Sequence, residues 1–185
     1  MFVRAFEGDK DSIKSVARLL KREDIDICIR KVDPCNFYAV SVHPSAYVES
    51  LELASKKLPE KKARGLDVVY PDGYGKLNLH FLTKIAFTHL GESNMMPIFG
   101  SENEEQIERL TSRLRAFNIE VQDGLVKIVW VDKASYVYAL LLGSDVCVLD
   151  RLNSVYAIAP DRGNYLDIQK LSSMSSKLLQ DSERE

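Results

Sequence analysis

The sequence predicts an α+β protein built from two similar halves, and two observations lead to this class. Amphipathic helical runs alternate with short β-branched or alternating runs along the 185 residues. Residues 13–27 also align without a gap on residues 107–121, and both segments are typical of an amphipathic helix that runs into a strand. Shared patterning alone could produce this match, so duplication and coincidence are both open. The identical positions are Ile13 with Ile107, Leu20 with Leu114, and Ile25 with Ile119.

In the first half, each predicted element follows from a local pattern. Gly8 and Asp9 should break the first strand, and Asp9 or Asp11 can cap the next helix by accepting its free backbone N–H groups. Turn residues separate two later pairs of apolar runs, which predicts two hairpins. The predicted elements are a strand over 2–6, a helix to about 22, a hairpin of 25–32 and 37–42, a helix from 44 to about 58, and a hairpin of 66–70 and 77–87.

A connection over residues 90–96 precedes the second half. An acidic first turn at 102–105 favours a helix start, because carboxylates stabilise the positive end of the helix dipole. Asp123-Gly124 predicts a two-residue hairpin turn. Residues 134–142 fit either a strand or a short helix that Gly143 could cap. The predicted elements are a strand over 97–99, a helix over 103–116, a hairpin of 119–122 and 125–131, the ambiguous segment, strands over 146–149 and 155–159, and a last helix over 165–179.

The order of these elements predicts the architecture. The first half has the order βαββαββ, and the second half repeats it if residues 134–142 are helical. An antiparallel sheet with two helices in the order βαββαβ is the ferredoxin-like fold. We therefore expect two related ferredoxin-like lobes, over 1–90 and 95–185, with one extra strand each and a C-terminal helix. If residues 134–142 form a strand, the second half is instead a β-meander between two helices.

Composition excludes several classes of protein. With 45% apolar and 28% charged residues, the chain resembles ordinary folded domains. No apolar run reaches the roughly 18–20 residues of a membrane span, and the first residues lack a signal-peptide core, so we expect a cytoplasmic protein without membrane contact. Cys28, Cys35 and Cys147 are odd in number and lack CxxC spacing, which argues against a disulfide framework and a zinc site. We expect no metal and no cofactor.

No motif in the chain indicates a particular reaction, so no catalytic residue is predicted. GxSxG, HExxH and phosphate-loop spacings are absent, and the glycine-bearing turn at 71–75 is typical of a hairpin. Polar side chains from distant segments could still converge in a cleft between the lobes, which keeps an enzyme as an alternative. Each of these residues also has an ordinary structural explanation, such as a solvated histidine or a turn residue. The weak ligand-binding candidates are Tyr74, His80 and Arg162.

The strongest indication of binding is a set of basic residues in the first half. Residues 1–64 contain 13 Lys and Arg against 10 Asp and Glu, whereas the remainder contains 12 against 17. In a ferredoxin-like lobe the two helices are neighbours, so their basic faces could form one positive surface for phosphates. A solvated helix face is the alternative. The basic residues are Lys10, Lys14, Arg18, Lys21, Lys56, Lys57, Lys61, Lys62 and Arg64.

Aromatic residues could add base-stacking rings to the open sheet face of the first half. Phe2 and Phe6 alternate with Val3 on the first predicted strand, and Phe37 or Tyr38 lies on the third. RNA-recognition domains use aromatic rings at such positions, although their glycine-aromatic signature is absent here. Packing between lobes or subunits is the alternative.

These observations favour a non-enzymatic intracellular interaction or regulatory ligand-binding module made of two similar lobes. Open sheet faces are covered most simply by the other lobe or by a second copy, so we expect a homodimer or another protein as partner. The first alternative is RNA or single-stranded nucleic-acid binding through the basic helices of the first half. The second alternative is an enzyme with a site between the lobes.

Overall fold

The computed structural model describes residues 1–33, 37–81 and 94–184. It contains two five-stranded sheets in which every strand pair is antiparallel, together with helices that alternate with the strands along the chain. The predicted α+β class is therefore confirmed. Among the described residues, no helix is both long enough and apolar enough to cross a membrane.

The first half follows the order expected from its sequence. Asp9 accepts a hydrogen bond from the backbone N–H of Ser12 and so caps the first helix as predicted. Its elements are β1 (Val3–Asp9), α1 (Lys10–Arg22), β2 (Ile27–Asp33), β3 (Phe37–Val42), a 3₁₀ turn (Pro44–Ala46), α2 (Tyr47–Lys57), α3 (Glu60–Arg64), β4 (Leu66–Val69) and β5 (Lys76–Asn78).

The second half has the same succession of strands and main helices. Asn103 caps its first helix by accepting a hydrogen bond from the backbone N–H of Gln106. Its elements are β6 (Met95–Ser101), α4 (Glu104–Arg113), β7 (Ile119–Gln122), β8 (Lys127–Asp132), a 3₁₀ turn (Lys133–Ser135), α5 (Tyr136–Leu149), β9 (Tyr156–Ile158), β10 (Tyr165–Leu166) and α6 (Ile168–Arg184).

The two sheets have corresponding strand orders, β2-β3-β1-β4-β5 and β7-β8-β6-β9-β10. The registers correspond as well. Phe6 pairs with Val40 and Val68, and Phe99 pairs with Val129 and Ala157. Each central strand shifts its register immediately before that phenylalanine. These registers define equivalent positions in the two halves, such as Phe6 and Phe99.

The core lies between each sheet and its helices. Helix α1 contacts β1 and β3, and α4 contacts β6 and β8. The aligned residues Ile13 and Ile107 are both 2% exposed, so both amphipathic helices turn this side towards the core. In α5, Gly143 packs so closely that a Cβ would lie 2.5 Å from the Phe99 ring. This close approach brings α5 down onto the central strand β6.

The two halves meet at a pair of equivalent tyrosines. The rings of Tyr47 and Tyr136 stack with their centroids 6.3 Å apart and their planes at 17°. Each hydroxyl donates a 2.8 Å hydrogen bond to a carbonyl of its own half, Val69 O for Tyr47 and Ile158 O for Tyr136. Both side chains are fully buried, and the two halves therefore approach each other through matching groups.

Three predictions for the first half are wrong. The first strand does not stop at Gly8 but continues to Asp9, and its register shift turns Phe6 into the core rather than onto the open face. The strand predicted over 77–87 ends at Asn78, and residues 79–81 are helical. Asn78 explains this end, because its side-chain oxygen accepts a hydrogen bond from the His80 backbone N–H. The rest of that run and the turn at 34–36 lie outside the described residues.

The helix predicted over 44 to about 58 is confirmed as α2, which follows a 3₁₀ turn at Pro44–Ala46 and ends at Lys57. The short helix α3 after Pro59 was not predicted. The residue before a proline is disfavoured in helical conformation, and Leu58 is accordingly extended.

The two-residue turn predicted at Asp123-Gly124 is wrong. Gln122 pairs with Ile128 and β8 begins at Lys127, so residues 123–126 form a longer loop, in which Leu125 is 98% exposed. The gapless alignment also fails beyond the helices. Ile27 pairs with Val42 as Ile119 pairs with Val131, which makes Ile27, not Ile25, the equivalent of Ile119.

The helical alternative for residues 134–142 is the one observed. Helix α5 runs through Gly143 to Leu149, so Gly143 does not cap it and the strand predicted over 146–149 is wrong. This helix is apolar on nearly every side, and its sequence consequently lacks the 3.6-residue period that identifies surface helices. Met95 and Met96 belong to β6 rather than to a connection, and Tyr165 lies in β10 rather than in the last helix.

Candidate binding site on the second sheet

Two equivalent Pro-Asp turns stand at the junction of the halves. The Oδ1 atom of Asp72 accepts hydrogen bonds from the backbone N–H groups of Tyr74 and Gly75. Asp161 Oδ1 accepts the corresponding bonds from Gly163 and Asn164. The following residue has positive φ in both turns, +78° at Gly73 and +62° at Arg162. The predicted hairpin turn at 71–75 is thus confirmed, and it has a counterpart in the second half.

Both buried carboxylates accept further hydrogen bonds, and two of these bonds cross the junction between the halves. Tyr70 donates a 2.7 Å hydrogen bond to Asp161 Oδ2, which also accepts from the Asn164 side chain at 2.7 Å. Asp72 Oδ2 accepts from the Asp167 backbone N–H at 3.0 Å. Burial and the neighbouring Asp161 raise the pKa of Tyr70 far above that of an exposed phenol. These hydrogen bonds link the two halves, and the Tyr70 phenol keeps its proton at neutral pH. Both features suit a structural role.

The structure does not join the three weak ligand-binding candidates. The Tyr74 ring is 61% exposed and has Lys170 Nζ 4.3 Å from its centroid. His80 Nε2 lies 3.6 Å from Glu60 Oε1. Arg162 Cζ lies 5.6 Å from the centroid of the Trp130 ring, and burial lowers the pKa of this arginine. Within the described parts of the chain, no hydrogen bond, ion pair or ring contact links any two of the three.

The basic residues lie on adjacent helices, because α1 contacts both α2 and α3. Two of the nine are neutralised by neighbours. Lys57 Nζ is 2.7 Å from Glu23 Oε1, and Arg64 is 2.6 Å from Glu60 Oε1. For the other seven, the described region shows no ion pair, and Lys62 among them is half-buried. The surface is therefore basic but interrupted by glutamates.

On the outer face of the first sheet, opposite its helices, charged side chains form ion pairs with one another. Glu7 is 3% exposed and lies between Arg4, 2.9 Å from its Oε1, and Lys76, 2.5 Å from its Oε2. The Lys76 ammonium also lies 5.9 Å from the centroid of the Phe37 ring. One lysine thus sits between a carboxylate and an aromatic ring of its own chain.

The outer face of the second sheet differs at these same positions. Strand pairing makes Gly100 the equivalent of Glu7, Tyr156 that of Asp67, and Tyr165 that of Lys76. The Tyr156 ring lies over Gly100, where a Cβ would be 2.6 Å from the ring. The rings of Tyr156 and Tyr165 are tilted at 56° with centroids 4.8 Å apart. Only glycine leaves room for this arrangement.

The two tyrosines line a cavity of about 540 Å³, which we call the tyrosine site. The cavity is open to solvent, and its lining is mostly polar. The hydroxyl-bearing rings form one wall, and polar groups of neighbouring segments form the others. The lining residues are Glu102, Asn103, Val126, Ser154, Tyr156 and Tyr165.

Glu102 is exposed beside this cavity because the second half caps its helix with a different residue. Its equivalent in the first half is Asp9, whose carboxylate accepts from Ser12 at 2.8 Å and so caps α1. In the second half the chain has one more residue here, and Asn103 does the capping. The Glu102 carboxylate is therefore available to the cavity. Burial, Tyr165 and Glu102 together raise the pKa of Tyr156.

Among the described residues, the tyrosine site contains no metal-ligand cluster, and its Tyr156 phenol is not activated as a base. The phenol of Tyr156 stays protonated at neutral pH, so it is no general base. The described residues contain no group of three or more His, Cys, Asp or Glu side chains that could hold a metal ion. Burial and the nearby Asp150 raise the pKa of Cys147 to about 12, which leaves this thiol unreactive.

Sequence reasoning missed Tyr156, Tyr165, Gly100 and Glu102. A signal existed, because aligning the two Pro-Asp turns places Tyr165 opposite Lys76. The gapless helix alignment does not extend to these turns. Comparisons with protein-family models, with curated proteins and with solved structures found no match to this chain.

Proposed function

We propose that the protein is a non-enzymatic ligand-binding or interaction module made of two related ferredoxin-like lobes, and that the tyrosine site of the second half is its binding site. The observation that carries this proposal is the difference between equivalent surfaces. The first half fills its outer face with the Glu7–Lys76 ion pair, whereas the second half replaces both residues and leaves a cavity.

Duplication of one ferredoxin-like unit is supported by several independent correspondences. Both halves have the order βαββαββ, with matching strand orders and a register shift before Phe6 and Phe99. The Tyr47 and Tyr136 hydroxyls bond equivalent carbonyls, and both halves contain a Pro-Asp turn with the same hydrogen bonds. Amphipathic patterning alone requires neither the shared turn nor the shared tyrosine bond.

The proposal is tested by screening small probes of each charge class against the protein. Ligand-observed NMR would report binding of cationic, neutral aromatic and anionic fragments to the wild type and to the double variant Tyr156→Ala/Tyr165→Ala. At least one class should bind the wild type and lose most of its binding in the double variant. Phe2→Ala is the control, because it removes an exposed ring from the first half. No binding of any class, or equal binding by the double variant, would refute the proposal.

Nucleic-acid binding through the basic helices remains a second candidate. It is favoured by the contact of α1 with α2 and α3, which places the two basic groups side by side. Titration with labelled single-stranded RNA at two salt concentrations tests it, because phosphate contacts make affinity fall with salt. Binding should be abolished when Lys56, Lys57, Lys61 and Lys62 are changed to alanine. Salt-independent binding, or none, would remove this candidate.

A second copy of the chain is the proposed partner. The edge strands β2 and β7 present apolar side chains to solvent, with Ile29, Val32 and Val121 each 43% exposed. Unpaired strand edges of this kind are templates for pairing between chains. Light scattering should report twice the mass of one chain, and a monomer at all concentrations would oppose this proposal. A cytoplasmic location remains an expectation from the sequence.

A further inference from the structure

In the described part of the chain, positive groups lie over aromatic rings at three places. Lys76 lies over Phe37, Lys170 over Tyr74 and Arg162 over Trp130, with distances to the ring centroids of 5.9, 4.3 and 5.6 Å. Such pairs are attractive because the face of an aromatic ring is electronegative. In the described region, no lysine or arginine lies over Tyr156 or Tyr165, although the Tyr165 ring is 70% exposed.

In the first half, a lysine of the chain itself stands at the position that Tyr165 has in the second half. Lys76, at the position of Tyr165, extends its ammonium to the Glu7 carboxylate and over the Phe37 ring. A carboxylate and a ring together thus hold one alkylammonium group. The second half offers the same two kinds of group, the Glu102 carboxylate and the tyrosine pair, but has no lysine at this position.

We infer that the tyrosine site receives an alkylammonium group from outside the chain, held by a carboxylate and aromatic rings as Lys76 is in the first half, although these groups stand at different positions of the sheet. This inference rests on the proposed function, since it names the class of ligand for the same site. The ammonium would lie against the Tyr156 and Tyr165 rings, with Glu102 as its counter-ion. Its alkyl chain would cover Val126, the apolar residue of the lining.

The charges around the cavity favour this class over an anion. None of the lining residues is a lysine or arginine. The nearby Lys127 ammonium is already held by Asp123 at 2.6 Å and lies 3.5 Å from Glu104. A phosphate or carboxylate entering the cavity would therefore meet the Glu102 carboxylate, and no lysine or arginine side chain lines the cavity to offset this repulsion.

The test compares three probes of similar size and different charge, n-butylammonium, n-butanol and butyrate, by NMR titration of the complete chain at pH 7. We expect n-butylammonium to bind measurably tighter than n-butanol, and butyrate not to bind. In Glu102→Gln the preference for the cation should fall by about threefold, the size expected for an exposed ion pair. The matched control is Glu120→Gln, which removes an exposed carboxylate of the same half at a different cavity, beside Trp130.

Two further variants test the rings themselves. Tyr165→Ala and Gly100→Ala should each weaken n-butylammonium binding by about threefold or more, since one removes a ring and the other displaces the Tyr156 ring. Circular dichroism should show both variants folded, because neither residue change removes a core side chain. If Gly100→Ala fails to fold, Tyr165→Ala alone decides the role of the rings.

The alkylammonium could come from a free amine or from a lysine side chain, and the last comparison distinguishes these sources. The peptide acetyl-Gly-Lys-Gly-amide is titrated beside n-butylammonium. Tighter binding of the peptide indicates a lysine of a partner protein, and tighter binding of n-butylammonium indicates a free amine. The inference is overturned if n-butanol binds as well as n-butylammonium while the tyrosine variants still lose it, a result that leaves the proposed function intact. Absence of binding by all of these probes overturns the inference, and the fragment screen described above then decides the proposed function separately.

Discussion

The two halves of this protein have matching strand orders and matching cores, which we call their frames, but different outer faces. Equivalent buried side chains pack in each frame, Phe6 and Tyr47 in the first half and Phe99 and Tyr136 in the second. On the outer faces, the first half has a buried carboxylate with its own lysine, whereas the second half has a glycine, two tyrosines and a cavity. The buried positions that the halves share stabilise the fold, whereas the outer-face positions at which they differ are those where we propose binding.

The largest expected effect tests whether the two frames are equivalent. Phe6→Ala and Phe99→Ala should each lower the free energy of unfolding by about 3–5 kcal/mol, because both side chains are fully buried against central strands. Urea denaturation of the two variants measures this. A large loss in one variant and little loss in the other would mean that only one half has a well-packed core.

Alkaline pH tests the tyrosine pair at the junction. Burial raises the pKa of Tyr47 and Tyr136 well above the ordinary value of 10.0. As the pH rises past 10.0, the unfolded chain releases these protons before the folded chain does, so the stabilisation is complete below this pH and falls above it. The urea midpoint should therefore drop above about pH 10.

The variants Tyr47→Phe and Tyr136→Phe show whether both tyrosines contribute to that drop. Each variant should make the decline shallower, and by similar amounts, because the two hydroxyls have equivalent surroundings. Each should also cost about 1 kcal/mol at neutral pH for the lost hydrogen bond. A stability that is constant to pH 11, or a decline unchanged in both variants, would contradict the buried, protonated state of the pair.

Carboxylates on the two outer faces should respond in different ways to neutralisation. Glu7→Gln should lower the free energy of unfolding by about 1–2 kcal/mol, a value reduced for the partial exposure of Arg4 and Lys76. Glu102→Gln should leave stability within about 0.5 kcal/mol, since Glu102 is exposed and has no ion pair among the described residues. Equal effects in thermal unfolding would remove the distinction between a structural and a binding carboxylate.

The smallest expected effect concerns the two Pro-Asp turns. Gly73→Ala should cost about 1 kcal/mol, because alanine is strained at a φ of +78° even though its Cβ would meet no neighbour. Arg162→Gly should cost no more than about 1 kcal/mol, since relief of the same strain offsets the greater freedom of glycine in the unfolded chain, whereas the cation–π contact with Trp130 is lost. Denaturant midpoints measure both. A neutral Gly73→Ala would show that the turn can change conformation without loss.

The fold was predictable where local patterns dominate. Helix α1 and strand β3 occur at the expected residues, because their apolar periods match one-sided burial. Helix α5 was ambiguous, because a helix buried on nearly all sides has no polar face to reveal its period. The strand expected beyond Asn78 ends there because one side-chain hydrogen bond starts a helical turn.

The tyrosine site could not be predicted from either half alone. Gly100, Glu102, Tyr156 and Tyr165 lie on different segments, and only strand pairing brings them together. Their meaning depends on the comparison with Glu7 and Lys76, which requires the registers of both sheets. The basic residues of the first half were visible in the sequence, and so was the i,i+4 spacing that pairs Arg64 with Glu60 within α3. The neutralisation of Lys57 by Glu23 was not, because it depends on a contact between separate segments.

Backbone-amide NMR of the complete chain during titration with n-butylammonium tests whether the two outer faces differ in function. We expect shifts at Gly100, Glu102, Tyr156 and Tyr165, with the residues around Glu7 and Lys76 unchanged. Shifts of equal size on both faces, or shifts confined to the first half, would contradict this expectation.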